Sequence, residues 1–401
     1  MRPLLLRHFT AASCMGSGLD ALREALRANH SGLRPCQFAD ARLSTWTGEV
    51  AKVDATALPA ALTRYACRNN RLARLGLMQD GFEQAARDAA ARFGARRVGV
   101  ILGTSTAGIF ETELAYRQRE PASGALPAAF DYRGGHNVFS VADFVRRALG
   151  LGGPAAVVSS ACSSSAKVFA SAARLIDSGV IDAAVVGGVD SLCLTTLYGF
   201  NSLELLSAEA CRPFDSERDG ISIGEAAAFA LLERPAGALP ADAVLLTGYG
   251  ESSDAHHMSS PHPDGHGARL AMAAALQRAG LSPAEIGYIN LHGTATPSND
   301  AAEGNAVRAL FGSRTPASST KGASGHTLGA AGGLEAVICA IALQDGLLPG
   351  SPGTRHADPA IGLDYVIAPR SAALRHVLSN SFGFGGTNAS LVFSRGDACR
   401  P

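Results

Sequence analysis

Two hydrophobic patterns take turns along this chain: short unbroken apolar runs, and longer stretches whose apolar residues return every three or four positions. Ala155–Val158 is one such run; beyond Cys162, Val168, Leu175 and Ile176 recur at helical spacing until Gly179, which reads as a buried strand entering a helix. RRVGVILGTSTAG, residues 96–108, and IDAAVVGGVDSL, residues 181–192, are further buried strands that end among small residues. Strand, helix and strand in this order make a parallel crossover unit, so the fold class is α/β. Residues 60–95 carry helical periodicity, 110–140 form an irregular excursion, and a helix is expected near Val141–Leu149.

Pro235 and Pro240 punctuate the clearest internal break, which divides the chain into residues 1–235 and 241–401. The second part opens on AVLLTGYGESSDAHH, passes a helix at Arg269–Ala279, and reaches EIGYINLHGTAT, a strand ending at His292. A helix from about Ala302 to Phe311 follows, then KGASGHTLGAAGG entering a helix at Leu334–Leu343, then two strands around FGFGGTN. No internal repeat is legible in the text.

Composition narrows the function. With 47% hydrophobic and 17% charged residues over 401 positions, the chain can build a large core and is too apolar for disorder. Thirty-five basic and thirty-five acidic side chains cancel, so no global field favours nucleic acid or a membrane surface. Eight cysteines (14, 36, 67, 162, 193, 211, 339 and 399) lack CxxC pairing, against a zinc site or a disulfide framework, and a reducing cytoplasm fits. No run is expected to reach the ~18 apolar residues of a membrane helix, and His8 interrupts the short N-terminal apolar stretch that a signal peptide would need.

Three loops at element switches present Cys162, His292 and His326 among glycines and other small residues, which is where open α/β sheets place active sites. A cysteine at a helix N-terminus has its thiol pKa lowered by unpaired N–H groups and the macrodipole. Taken alone it reads sooner as a buried structural cysteine, and each histidine alone as a satisfied core or loop residue. Together they supply a nucleophile for a thioester and donors for the oxyanion that develops. Lys321 could hold the loop of His326 by pairing with Glu303 or Asp300. FGFGGTN has no titratable group, so its contribution would be backbone geometry, with glycines at positive φ and an N–H aimed at the oxyanion. It is not a phosphate loop, since no GK[ST] follows.

SSACSSSAK, PFDSERDGISIGEAAAFALLE, SSDAHHMSSPHPDG, LHGTATPSNDAAE, STKGASGHTLGAAGGLEA and NSFGFGGTNASLVF resemble, in order and spacing, the β-ketoacyl-acyl-carrier-protein synthases of the elongating type. They cover roughly residues 95–395. The resemblance implies a thiolase fold, two similar α/β halves in five αβαβα layers, acting as a homodimer or as a heterodimer with a ketosynthase-like paralogue. It makes Cys162 the acylated residue, and His292 and His326 the pair that assists decarboxylation of a malonyl extender. It makes Lys321 with Glu303 the pair that orders the second histidine's loop. Thr294 and Thr296 would contact a phosphopantetheine arm. Phe384 would gate the acyl pocket beside Phe382, Gly383 and Gly385, its N–H completing an oxyanion hole with that of Cys162. No tightly bound cofactor or metal is implied; substrates would ride on an acyl carrier protein.

Two departures bear on chain length and pathway. RPLLLRHFTAASCMGSG stands in place of the family's usual first strand and turn, and residues 110–140 are shorter than its pocket-covering segment. A specialised polyene or polyketide synthase therefore fits as well as a fatty-acid enzyme. A thiolase would need a second cysteine in its last glycine-rich loop, initiating synthases use an asparagine where His326 stands, and a chain-length-factor subunit lacks the nucleophile. His256, His257, His262 and His266 lie in a His-rich loop that the resemblance makes a pocket wall rather than a metal site. Because acyl carriers are acidic and this chain has no net charge, docking requires a local basic patch. Arg64, Arg68, Arg71 and Arg74, three or four residues apart, would lie along one helix face.

Overall fold

The structure, a computed structural model, describes residues 1–399. The strands of its main sheet are β1 (Leu4–Ser13), β2 (Val98–Gly103), β3 (Ala155–Val158), β4 (Ala183–Asp190), β5 (Ala226–Glu233), β6 (Val244–Ser253), β7 (Tyr288–Asn290), β8 (Ala317–Ser318), β9 (His376–Gly383) and β10 (Thr387–Arg395). With the two-residue strand Gly16–Ser17 appended to β1, they form one eleven-stranded sheet in the order β8-β7-β9-β10-β6-β1-β5-β4-β2-β3. The first five strands are ordered β3-β2-β4-β5-β1 and the second five β8-β7-β9-β10-β6, the same permutation twice. The pairing senses match as well: β2 runs parallel to β3 and β4, as β7 does to β8 and β9, and every other pair is antiparallel. A topological repeat thus survives where no repeat shows in the sequence, because strand order depends on hydrophobic patterning and not on residue identity.

The helices are α1 (Leu19–Arg27), α2 (Arg68–Leu77), α3 (Phe82–Phe93), α4 (Ile109–Arg117), α5 (Ser140–Ala148), α6 (Ser164–Asp177), α7 (Leu194–Ser202), α8 (His266–Ala279), α9 (Pro297–Phe311), α10 (Lys321–Ser324) and α11 (Ala331–Asp345). Helices α6 and α11 pack on each other and on strands of both sets, while α2, α3 and α5 cover the far side of the first set and α8, backed by α9, the far side of the second. The result is five layers, αβαβα, which is the thiolase-like arrangement. Every residue of α11 from Ala331 to Leu343 is buried, since the two strand sets lie on both sides of it and leave no face to water. Burying each of its larger aliphatic side chains contributes roughly 1.5–3 kcal/mol. Close approach of the two central helices requires glycine at one point: a Cβ on Gly332 would stand 2.7 Å from that of Ala166.

Four expectations need correction. The N-terminal segment does form a strand, β1, and it lies at the centre of the sheet, where Leu4 opposes Leu246 across the seam between the two sets. One run does reach membrane length: Leu328–Asp345 spans 18 residues with mean hydropathy 1.4, but it is 89% buried as the core helix just described. Residues 60–95 are three elements, a 3₁₀ segment at Ala60–Tyr65 followed by α2 and α3, so the four arginines share no helix face. Arg68 is 3% exposed and forks onto buried Glu225 through Nη2 and Nε at 2.7 and 2.9 Å, with Asp54 on Nη1 and Glu49 sharing Nη2. Arg74 pairs with Glu83, and Arg64 with Asp131. Of the stripe read from spacing as a docking face, Arg68 is locked inside the protein, while Arg64 is exposed beside Asp131 and Arg71 is half-buried.

Candidate active site

Between β3 and α6 the chain must turn from strand to helix in a few residues, and Ala161, just before the nucleophile candidate, takes a left-handed φ of 50°. That conformation is costly for a residue with a Cβ, and the serines around Cys162 hold it. Ser164 Oγ donates to the Ala161 carbonyl at 2.5 Å and accepts from the Ser160 N–H at 2.9 Å. Ser163 Oγ donates to the Ser160 carbonyl at 2.9 Å, and Ser165 Oγ accepts from the Gly333 N–H of α11 at 2.8 Å. The small polar run after the cysteine is thus local scaffolding, and its last member reaches into the second set of elements.

Cys162 lies two residues before α6 and is 8% exposed. Contrary to the expectation of a lowered pKa, burial pushes the thiol up to about 11; the Lys321 charge and the N–H groups of Phe384 and of Cys162 itself pull the other way, and Asp190 adds to the rise. Desolvation of the charged form outweighs the helix terminus here. His326 Nε2 lies 3.0 Å from Sγ. Sγ and a ring nitrogen from each of His292 and His326 all fall within 4.8 Å of one another, and the two rings meet edge to face at 5.3 Å between centroids.

Both imidazoles are held well below their ordinary pKa by burial, then by the Lys321 charge and, for His292, by His326 as well. They are neutral at physiological pH. Lys321 Nζ contacts His292 Nδ1 at 3.3 Å. An ammonium can only donate, so His292 Nδ1 accepts and the ring proton sits on Nε2. His326 is tied through its backbone, donating to the Ser222 carbonyl at 2.7 Å and accepting from the Gly224 N–H at 3.0 Å, whereas its buried Nδ1 has no partner among the described residues. One imidazole has a fixed tautomer and the other is free to take either.

The expected Lys321–Glu303 pair is not formed. Lys321 pairs with Glu335 on α11, which also accepts from Ser381 Oγ at 3.4 Å. Glu303 instead accepts the N–H groups of His292 and Gly293, both at 2.8 Å, and Asn380 Nδ2 at 3.1 Å; burial raises its pKa to about 7. Asp300 caps other backbone, accepting from the N–H groups of Phe214 and Ala295. Each carboxylate still serves the histidines, but Glu303 does so from beneath the His292 turn and Glu335 through the ammonium. The overlooked residue, Glu335, was signalled by a lone acid inside the apolar run LEAVICAIAL.

Thr294, Thr296, Phe382, Gly383, Phe384 and Gly385 all line one pocket with Cys162 and both histidines, and it opens to solvent. Thr294 and Thr296 hydroxyls lie 2.9 Å apart. Gly385 and Gly386, at φ 80° and 72°, make the turn that carries Phe384, whose ring lies 5.6 Å from that of Phe200. Phe200, Leu205 and Ile221 extend the apolar wall; nothing in their sequence pattern separates them from ordinary core. The turn is strapped to the His-rich loop, since Gly385 N–H donates to the Met258 carbonyl and Asp254 N–H to that of Gly386, each at 2.8 Å.

This layered α/β fold with a Cys-His-His centre at the ends of equivalent strands defines a thiolase-like acyl-transfer architecture. The β-ketoacyl synthase N-terminal domain model matches residues 12–238 and the C-terminal domain model residues 243–355; the chain belongs to the β-ketoacyl synthase family. It is 35% identical over 323 residues to 3-oxoacyl-[acyl-carrier-protein] synthase 2 of Vibrio cholerae, covering 75% of this chain and 76% of that one. It is 40% identical over 263 residues to the mitochondrial 3-oxoacyl-[acyl-carrier-protein] synthase of Arabidopsis thaliana, covering 61% of this chain and 57% of that protein's length. Among solved structures, a ketosynthase in complex with its chain length factor from Xenorhabdus doucetiae superposes with a TM-score of 0.88 at 38% identity, covering 98% of both chains.

Proposed function

We propose that the protein is a 3-oxoacyl-acyl-carrier-protein synthase that joins an acyl chain on Cys162 to a malonyl unit by decarboxylative Claisen condensation. The observation that carries this is the convergence of Sγ and both neutral imidazoles within 4.8 Å at the base of one open pocket. In the first half-reaction Sγ attacks the acyl thioester while its proton passes to His326 Nε2. The N–H groups of Cys162 and Phe384, both facing the sulfur, receive the oxyanion, and the carrier leaves as a thiol. General-base help matters because the resting thiol is protonated at neutral pH. In the second, a malonyl carrier thioester loses CO₂, and the enolate oxygen is received by His292 Nε2–H with His326 beside it. The enolate carbon then attacks the Cys162 thioester, giving the 3-oxoacyl carrier and the sulfur, which takes a proton again. Neutral donors suit both charges, since they add no cation that the departing carboxylate could hold in place.

Thr294 and Thr296, in the pocket lining, suit the amides of a phosphopantetheine arm, and Phe384 on its glycine turn suits a gate over the acyl chamber. Residues 1–235 and 241–401 are two halves of one duplicated unit. The protein pairs with a second ketosynthase-like chain, identical or paralogous, and takes its substrates from an acyl carrier protein. The solved relative bound to a chain length factor favours the paralogue, and a paralogous partner suits a specialised polyene or polyketide synthase. Seven free thiols among the described residues suit a reducing compartment such as the cytoplasm. Incubation with acyl-carrier and malonyl-carrier thioesters should release CO₂ and yield a 3-oxoacyl carrier; carriers that prove competent with another synthase yet give no product here would overturn the reading.

A further inference from the structure

Asp190 ends β4 beneath the site and is fully buried. Its oxygens accept from six groups: the hydroxyls of Thr104, Ser105 and Thr106, each at 2.7 Å, the N–H groups of Ser105 and Thr106 at 2.8 Å, and that of Gly329 at 2.5 Å. Five of these belong to the loop after β2. The sixth belongs to the turn Leu328–Ala330, which follows His326 and precedes α11. Leu328 sits at a left-handed φ of 53°, so this turn needs an external tie. A Cβ on Gly329 would stand 2.6 Å from Asp190 Oδ2 and 3.0 Å from the Ser105 nitrogen. Alongside, the backbones of the two sets nearly touch, since a Cβ on Gly188 would lie 3.1 Å from the Ala330 Cα.

We propose that Asp190 is a positioning residue for the condensation: it clamps the turn that follows His326 onto the loop after β2, and so fixes the imidazole of one half against the thiol of the other. This rests on the reading of Cys162 as nucleophile and His326 as its proton acceptor. The residue touches neither reacting atom. It acts through Gly329, three residues from His326, and through the loop after β2 that it binds at the same time. Its charge has a separate effect. The charged groups acting on the sulfur are Lys321, which favours the thiolate, and Asp190, which opposes it, with both histidines neutral. Removing the carboxylate should therefore make the thiol more acidic while making the reaction slower, two changes of opposite sign that loss of stability alone would not produce.

The test follows iodoacetamide alkylation of Cys162 against pH by peptide mass, beside the rate of acyl transfer from an acyl-carrier thioester. Asp190→Asn should move the alkylation midpoint to lower pH and slow acyl transfer ~10-fold or more, since misplacement by about 1 Å can cost up to ~10²-fold. Gly329→Ala keeps the carboxylate but spoils its seat, so acyl transfer should fall similarly with the alkylation profile unmoved. Wild-type transfer by either variant overturns the clamp. A slower Asp190→Asn enzyme with an unshifted profile overturns the charge effect. Should Asp190→Asn fail to fold, Gly329→Ala decides alone, at a melting temperature close to wild type. If the wild-type protein itself takes no acyl group on Cys162, it is the nucleophile reading that fails.

Discussion

The two halves of the sheet meet the site at equivalent points. In the first, the chain leaves β3, passes Cys162 and enters α6; in the second, it leaves β8, passes α10 and His326 and enters α11. One topology has been furnished twice with different chemistry. The first turn holds its conformation with serine hydroxyls and keeps a protonated thiol. The second is larger and carries a buried ion pair, Lys321 with Glu335, that reaches across to fix the tautomer of His292. A fold of two like halves thus places a thiol and an imidazole face to face, 3.0 Å apart, without a shared segment of sequence. The opposing placement is set by the stacking of α6 on α11, and the chemical difference by what each turn can afford to bury.

The largest break in this comparison should come from the histidines. His292→Ala and His326→Ala should each reduce CO₂ release from a malonyl carrier by ~10²-fold or more, the usual cost of removing an oxyanion donor. Only His326→Ala should also slow acyl loading of Cys162, because only His326 touches Sγ. Radiolabelled CO₂ release and loading rates, measured separately, would expose an equal loss in both half-reactions, and that outcome would contradict the division of labour.

Next come the buried ion pairs. Lys321→Ala strands Glu335 inside α11 and should destabilise the fold by ~3–5 kcal/mol while also releasing the His292 tautomer. Arg68→Ala strands Glu225 and should cost a similar ~3–5 kcal/mol, yet leave turnover per folded molecule intact, since Arg68 lies outside the pocket. Chemical denaturation beside single-turnover assays distinguishes the two. If Arg68→Glu weakened carrier binding with no loss of stability, the internal role assigned to this arginine would be wrong.

A smaller effect concerns pH. The unfolded chain's histidines take up protons near 6.5, while buried His292 and His326 resist doing so. Their contribution is intact above 6.5 and is lost as pH falls through their depressed folded values. Glu303 has the opposite sign, its raised value giving a contribution present below 4.5 and lost as pH rises through about 7. Melting temperatures recorded from pH 7.5 down to 5.5 should fall, and less so for His326→Asn; equal slopes for the two proteins would refute the assignment of acid sensitivity to the buried imidazole.

Much of the site could be read from the chain because its residues are of unusual type for their setting. Cys162, His292 and His326 interrupt runs of small residues, six ordered motifs carry them, and the structure brings the three side chains together within 4.8 Å. The pairing of Lys321 was misread because a sequence does not show which helix faces the ammonium; Glu335, only 14 positions away, sits inside an apolar run of the core helix that reads as plain packing. The arginine stripe failed for a related reason. Periodicity reports a face only when the residues share one helix, and Arg64 precedes the helix that Arg68 begins. The thiol's raised pKa was hidden as well, since a helix terminus is visible in sequence while the depth of burial that outweighs it is not.

The most direct test is the mass gained by the protein when it is offered an acyl-carrier thioester without malonyl substrate. Wild-type protein should gain one acyl group, mapped by peptide fragmentation to Cys162, and Cys162→Ala should gain none. Acylation of the Cys162→Ala variant at Cys193 or any other residue, at the wild-type rate, would contradict the account.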